Sequence, residues 1–281
     1  MKDITNQERV QLDEPTHKYT VAGHENLKYE SATTWIKSFF PIFNAPAIAQ
    51  SLIDRYPDKY GDQTKEEILA GWNKIAAIGT SVHNELENWC KSWQALPPEE
   101  RPAFQDETPD FKYEKSYHGF YWLQENLQPH YQLYPEVKLS NEDLQIAGTV
   151  DLLIHDPKQN LWIIADWKTN KSIRASSRSK GTHKATCFLD DCHLSHYSLQ
   201  MSLYQWMLEQ DYTYEGEPIK VVGRNLIHLR PKMTRTYPLG IKVFETPYLI
   251  YNLEKMVEYR LRRKAAGKLF EKKVFKTNVK T

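Results

Sequence analysis

Apolar positions recur every three or four residues through Ile68, Trp72, Ile75, Gly79, Val82, Leu86, Trp89 and Trp93. That period predicts one long helix with a single buried stripe. Gly79 falls inside the stripe, where a missing side chain permits close approach by another backbone. Upstream, Tyr19–Tyr29 reads as two short strands around a glycine-containing turn, and Ser31 to Arg55 as helix interrupted at Pro41 and Pro46. Tyr56–Gln63 reads as a loop, Leu96–Asp110 as the most linker-like stretch, and Tyr113–Leu127 as a second helix.

The pattern then shifts to runs suited to strands: Tyr134–Leu139, Ile146–Ile154 and Leu161–Lys168, separated by polar turns. A long loop, Thr169–His196, leads into a helix over Tyr197–Gln210. Two further strands are expected near Ile219–Leu229 and Tyr237–Phe244, and a last helix from Pro247 to Ala266. Strands between flanking helices predict an α/β fold with a mixed central sheet and an N-terminal helical layer. The expected division is a hairpin and helical layer over 1–70 and the core over 71–281.

Composition narrows the class. With 40% hydrophobic and 26% charged residues among 281, the chain has enough apolar surface for a core. Its longest apolar runs fall far short of the roughly 20 residues a bilayer requires, so no membrane role is expected. Lys and Arg (37) balance Asp and Glu (36), so any nucleic-acid surface has to be local. One candidate is the tail, with Lys255, Arg260, Arg262, Arg263, Lys264, Lys268, Lys272, Lys273, Lys276 and Lys280. The long loop, with Lys171, Arg174, Arg178, Lys180 and Lys184, is the better one because it follows the Lys168 strand directly. Three cysteines form no even disulfide framework, and no leader-like apolar stretch opens the chain, so an intracellular (cytoplasmic) protein is expected. Trp35, Phe39 and Phe40 could stack on bases, but their helical spacing favours core.

Candidate chemistry starts at Asp151 and Asp166-Trp167-Lys168. If Ile154 pairs with Leu161, Asp151 faces Ile164, and Asp166 is its diagonal neighbour on the face that Lys168 shares. Two carboxylates converging there suit Mg²⁺ or Mn²⁺, with a lysine beside the ion. The plainer alternative is two acids ending strands at the solvent edge. His83 and Glu87, four apart, share a helix face, as do Gln200 and Tyr204.

In order, these pieces resemble the motifs of RecB-type nucleases in the PD-(D/E)XK superfamily. Gly79-Thr-Ser-Val-His83-Asn-Glu-Leu-Glu87 is similar to their Gly-Thr-x-x-His-x-x-x-Glu helix, and Gly148-Thr-Val-Asp151 to their Gly-x-x-Asp strand. Asp166-Trp-Lys168-Thr169 resembles their Asp-x-Lys strand, and Gln200-Met-Ser-Leu-Tyr204 their Gln-x-x-x-Tyr helix. The Tyr19–Thr34 region and the Asp-Trp-Lys-Thr wording are most similar to the group of mitochondrial genome maintenance exonuclease and its phage and bacterial relatives. The resemblance implies that Asp151 and Asp166 bind the metal, with His83, the Trp167 carbonyl and Glu136 as further ligands. It implies a catalytic Lys168, supported by Glu87, Gln200 and Tyr204. It also implies a monomeric Mg²⁺- or Mn²⁺-dependent exonuclease acting on single-stranded DNA or free DNA ends. A flap endonuclease with the same site, or a DNA-binding module with a vestigial one, are the alternatives. The four-cysteine iron–sulfur cluster of some relatives cannot be built from Cys90, Cys187 and Cys192. His183, Cys187, Cys192, His193 and His196 could hold zinc, but their spacing fits no standard finger; the loop is read instead as a cover over the DNA groove.

Overall fold

The structure, a computed structural model, describes the chain except for Pro15, His17 and residues 102–107, 231–239 and 272–281. The first half comprises β1 (Lys2–Asp3), β2 (Val10–Asp13), β3 (Lys18–Val21), β4 (Glu30–Ser31), α1 (Ala32–Lys37), α2 (Ala45–Arg55), α3 (Pro57–Tyr60), α4 (Lys65–Ala95) and α5 (Glu114–Asn126). The second comprises β5 (Gln132–Asn141), β6 (Ile146–Asp156), β7 (Leu161–Lys168), α6 (His193–Asp211), β8 (Tyr212–Tyr214), β9 (Glu217–Pro218), β10 (Val221–Leu229), β11 (Ile241–Glu245) and α7 (Ile250–Ala265).

Local chemistry sets the helix ends. Thr64 Oγ1 accepts from the Glu67 amide while Glu67 Oε2 accepts from the Thr64 amide, a reciprocal cap that starts α4 and contributes about 1 kcal/mol. Pro46 begins α2 behind the Asn44 cap rather than interrupting a helix, because its missing N–H is harmless in a first turn. The expected loop before α4 contains the single turn α3. The Tyr19–Tyr29 hairpin is corrected: β3 pairs with the upstream β2, and residues 22–29 form turns after Gly23 at φ 79°.

The α4 stripe holds in the second half of the helix, where Val82, Leu86, Cys90 and Trp93 are buried. Ile75, expected inside, is 55% exposed. The helix backbone meets the end of β7 at Gly79, where a Cβ would lie 2.7 Å from Thr169 Oγ1. At 1.5 Å per residue, the fourteen residues before it extend roughly 21 Å past that point, and α2 packs against α4.

The central sheet runs β11-β10-β7-β6-β4, with β5 also paired to β6. It is mixed: β7–β10 and β4–β6 are parallel and the other pairs antiparallel. Trp162, Ile164, Leu199, Leu203 and Leu253 belong to a core on the α6 and α7 side, which also holds Trp35, Phe39 and Phe40 as expected. Ala165, Trp167, Leu152, Val82 and Leu86 form a second core under α4 and α5. Among the described residues no helix is long and apolar enough to cross a membrane.

Candidate active site

The β6–β7 register differs by two residues from the expected one. Ile154 pairs with Ile163, and Asp156 with Leu161. Asp156 closes a tighter turn by accepting from the Lys158 amide and Gln159 Nε2, and Asn160 supplies a left-handed φ of 49°. An even shift keeps every side chain on its face. Continued by one pair, it sets Asp151 beside Asp166 instead of diagonal to it.

The sheet forks at this level. The β7 pairing covers Leu152–Asp156 of β6, whereas β4 pairs with Ile146 and Ala147. Because β5 occupies the other edge at Ile146 and Ala147, β4 lies on the β7 side, and Gly148–Asp151 face a gap between the two strands. Into this gap the Trp167 amide donates to Asp151 Oδ2 at 2.8 Å.

A second irregularity lies across β5. Pro135 pairs with Leu152 and Val137 with Val150, but the intervening Glu136 and Asp151 do not pair. Glu136 has φ 52°, a left-handed value that is uncommon away from glycine and is held only by its surroundings. The faces change here: Leu133 packs under α4 but Val137 and Leu139 pack toward α6. Similarly, Leu152 packs under α4 while Val150 packs toward α6. The broken pleat brings the two acids to α4, so that ligand atoms of His83, Glu136 and Asp151 lie within 4.8 Å of one another. His83 Nδ1 stands 3.4 Å from Asp151 Oδ2.

Asp166 and Lys168 share the α6-side face of β7. The Lys168 ammonium forms an ion pair with Asp166 Oδ2, lies 3.2 Å from the Trp167 carbonyl and sits 4.9 Å over the Tyr197 ring. Tyr197 is anchored in turn by Asn170 Nδ2 at 3.0 Å. Tyr204 is buried beneath Gly148, where a Cβ would lie 2.7 Å from its ring, and its hydroxyl accepts from Gln200 Nε2 at 3.0 Å. Thus both motif glycines, Gly79 and Gly148, make room for neighbours at the fork. Glu87 stands outside the three-ligand group and pairs with Lys91 at 2.5 Å.

Burial raises the Asp166 pKa to about 6, with Lys168 opposing and Asp151 reinforcing the shift. Asp151 is raised by burial against the opposing Lys168. Glu136 is pushed up to about 8 by burial, then by the charges of Asp151 and Glu87. His83 is held down to about 4 by burial, then by Lys168. Burial alone would lower Lys168, but Asp166 and Asp151 outweigh it and keep the ammonium charged. Crowded carboxylates with one imidazole form a hard donor set deficient in positive charge, which fits a divalent cation.

Other expected groups are placed elsewhere. His183 packs on Phe39 and Tyr259, Cys187 is exposed, and His196 pairs with Asp191, so the loop does not gather a zinc site among the described residues. Arg260, expected in the basic tail surface, is buried and bonded to the Leu144 and Gln145 carbonyls and Glu30. Lys272, Lys273, Lys276 and Lys280 lie outside the described residues. Tyr197 was missed, although it lies three and seven residues before Gln200 and Tyr204, the spacing of one helix face.

A forked mixed sheet holding buried carboxylates beside an ion-paired lysine is suited to metal-assisted phosphodiester chemistry. Over residues 55–276 the chain matches the PD-(D/E)XK nuclease superfamily, and it belongs to that superfamily. Membership in that superfamily points to a nuclease, of a class that uses divalent metals. No curated protein matches the chain.

Proposed function

We propose that this nuclease is a Mg²⁺- or Mn²⁺-dependent, RecB-type deoxyribonuclease that degrades single-stranded DNA or free DNA ends as an exonuclease. The observation that carries the reading is the meeting of His83, Glu136 and Asp151 next to the Asp166–Lys168 pair. His83, Glu136, Asp151 and Asp166 would hold the ion, with the Trp167 carbonyl as a backbone donor. A divalent ion held there supplies Lewis acidity to the phosphate and lowers the pKa of the attacking water. Lys168 directs its ammonium at the charge that builds on the phosphoryl oxygens. Glu87 supports the acidic group, and Gln200 and Tyr204 steady the floor under Gly148. The exposed Lys171, Arg174, Arg178 and Lys184 of the loop offer phosphate contacts beyond it.

The preference for ends is read from the α4 extension before Gly79, large enough, with α2 packed on α4, to narrow access to the fork. End-labelled linear single strands should be digested with Mg²⁺ or Mn²⁺, whereas covalently closed single-stranded circles should be cut at least ~100-fold more slowly, a difference of about 3 kcal/mol in the barrier. Circles cut as fast as linear strands would replace the exonuclease with an endonuclease. Loss of all cleavage under both metals would leave a vestigial site.

Tyr197 carries a separate prediction. Tyr197→Leu removes the ring beneath the Lys168 ammonium, a contact of about 1–2 kcal/mol when desolvated. The expected result is a roughly tenfold lower kcat with unchanged KM for DNA. Tyr197→Phe keeps the ring and should recover most of kcat. Equal losses in both variants would assign the effect to the Asn170 bond.

A further inference from the structure

A cleft of about 330 Å³ lies along the seam between α4 and β5, immediately past Glu136. Its floor is formed by Leu133, Tyr134, Pro135 and Val137, so it flanks Glu136 on both sides in sequence. One wall is α4, through Lys91, Gln94 and Ala95, and Gln7 also lines the cleft. On α4, His83, Glu87, Lys91 and Ala95 follow at four-residue intervals, so the wall continues the face that carries the candidate metal group. Lys91 is about 12 Å along the helix axis from His83, and its ammonium is paired with Glu87 while the side chain stays 58% exposed.

The lining has a definite chemistry. Pro135 presents apolar surface, while the Tyr134 ring packs against Trp162 and Tyr214 toward α6. Gln94 Oε1 accepts from the Leu133 amide at 2.7 Å, which orients the side chain and leaves its Nε2 protons for an acceptor in the cleft. Gln7 is fixed in the same way, with Oε1 taken by the Lys138 amide and Nε2 donated to the Ile4 carbonyl. The cleft therefore combines an apolar floor, an amide donor and a cation at the end nearer the acidic group. Its volume falls within the roughly 300–1,000 Å³ of small-molecule sites.

We propose that this cleft is a nucleotide subsite: it takes the base and sugar of the nucleotide flanking the scissile phosphate, with Lys91 on the adjoining phosphate. The proposal rests on the nuclease reading above and names a substrate-binding surface of the same site. A base lies against Pro135 and accepts from Gln94 Nε2. Such recognition is tolerant of sequence, because every base offers a flat face and an acceptor.

The test uses the full chain and thymidine 5′-monophosphate as probe, titrated calorimetrically and by saturation-transfer NMR in EDTA, alongside steady-state digestion of linear single-stranded DNA. Ala95 is exposed at the end of α4, and Ala95→Trp fills the cleft without altering the acidic group. The expected results are at least a tenfold loss of thymidine monophosphate affinity and a KM for DNA raised by about the same factor, with kcat within twofold. Lys91→Gln should weaken the monophosphate but not thymidine itself. Should Ala95→Trp fold poorly by melting temperature, Ala95→Glu places a like charge against the phosphate and should give the same loss. Wild-type binding and wild-type KM in a folded cleft variant would overturn the subsite and leave the nuclease reading intact. A chain that cleaves no DNA but loses the monophosphate on cleft filling would overturn the nuclease reading and keep the subsite.

Discussion

Asp166→Ala and Lys168→Ala should each lower the rate of DNA cleavage at least about 10³-fold, the loss of roughly 4 kcal/mol of transition-state stabilisation. DNA affinity should stay within a few-fold. The reason for the split is spatial. Asp166 is almost wholly buried and bonded to Lys168 at the fork, whereas the exposed cations available to phosphates, such as Lys171, Arg174 and Arg178, are spread along the loop. Each alanine also strands one partner of a buried ion pair, which typically destabilises by about 3–5 kcal/mol. Asp166→Asn and Lys168→Gln therefore belong beside the alanines, since they keep volume and polarity. Single-turnover cleavage, fluorescence anisotropy on labelled strands and melting temperature together separate the cases. A folded variant of either residue that cleaves at the wild-type rate removes it from the reaction centre.

The second large effect concerns stability, metal and pH. Glu136 is protonated more readily folded than unfolded, its pKa being raised to about 8. For an acid with this sign, stability is fully present below the unfolded value and is lost as pH rises through the folded value. Asp166, raised to about 6, acts in the same direction at lower pH, and His83, held down to about 4, acts in the opposite one. From about pH 7 to 8.5, Glu136 dominates. Between pH 6.5 and 8.5 the raised value makes at most about 2 kcal/mol of difference, and partial exposure and coupling to Asp151 reduce this to the order of 1 kcal/mol. The metal-free protein should thus melt about 2–4 °C lower at pH 8.5 than at pH 6.5. Saturating Mg²⁺ or Mn²⁺ should reverse the loss, since ligand at a hundredfold excess over Kd adds about 2.7 kcal/mol, and Mn²⁺ should do so at lower concentration because imidazole suits it better. Glu136→Gln should flatten the pH dependence, raise the metal-free melting temperature at high pH and weaken the response to metal. An unchanged melting temperature on adding either ion would refute the assignment of the acidic group.

Much of this was legible in the linear pattern. The α4 period marked Val82, Leu86 and Trp93 as core, and the apolar runs marked β5, β6 and β7. Asp166 and Lys168 share a face, as strand alternation required, and they pair directly. The four motifs fell on a helix, two strands and a helix in the expected order. Where the reading failed, the reasons were non-local. Ile75 follows the apolar period but sits where α4 extends past Gly79, so the sheet has nothing there to bury it. The hairpin of β3 closed upstream because turn residues follow Val21, whereas β2 offered a four-residue partner.

The sequence by itself determined the main helices and strands of the core, most of their buried faces, and the residue types on which the proposed metal-assisted chemistry rests. These depend on periodicity and side-chain chemistry that neighbouring positions carry. Only the tertiary structure decided that Glu136 joins His83 and Asp151, from β5, α4 and β6, at one point. It also decided the two-residue register that sets Asp151 beside Asp166. Both depend on a turn closing at Asp156 and on a left-handed Glu136 that breaks the pleat of two strands at once. A backbone conformation of that cost has no signature in local propensity. It is held by the packing of α4 and α6 on opposite faces of the sheet.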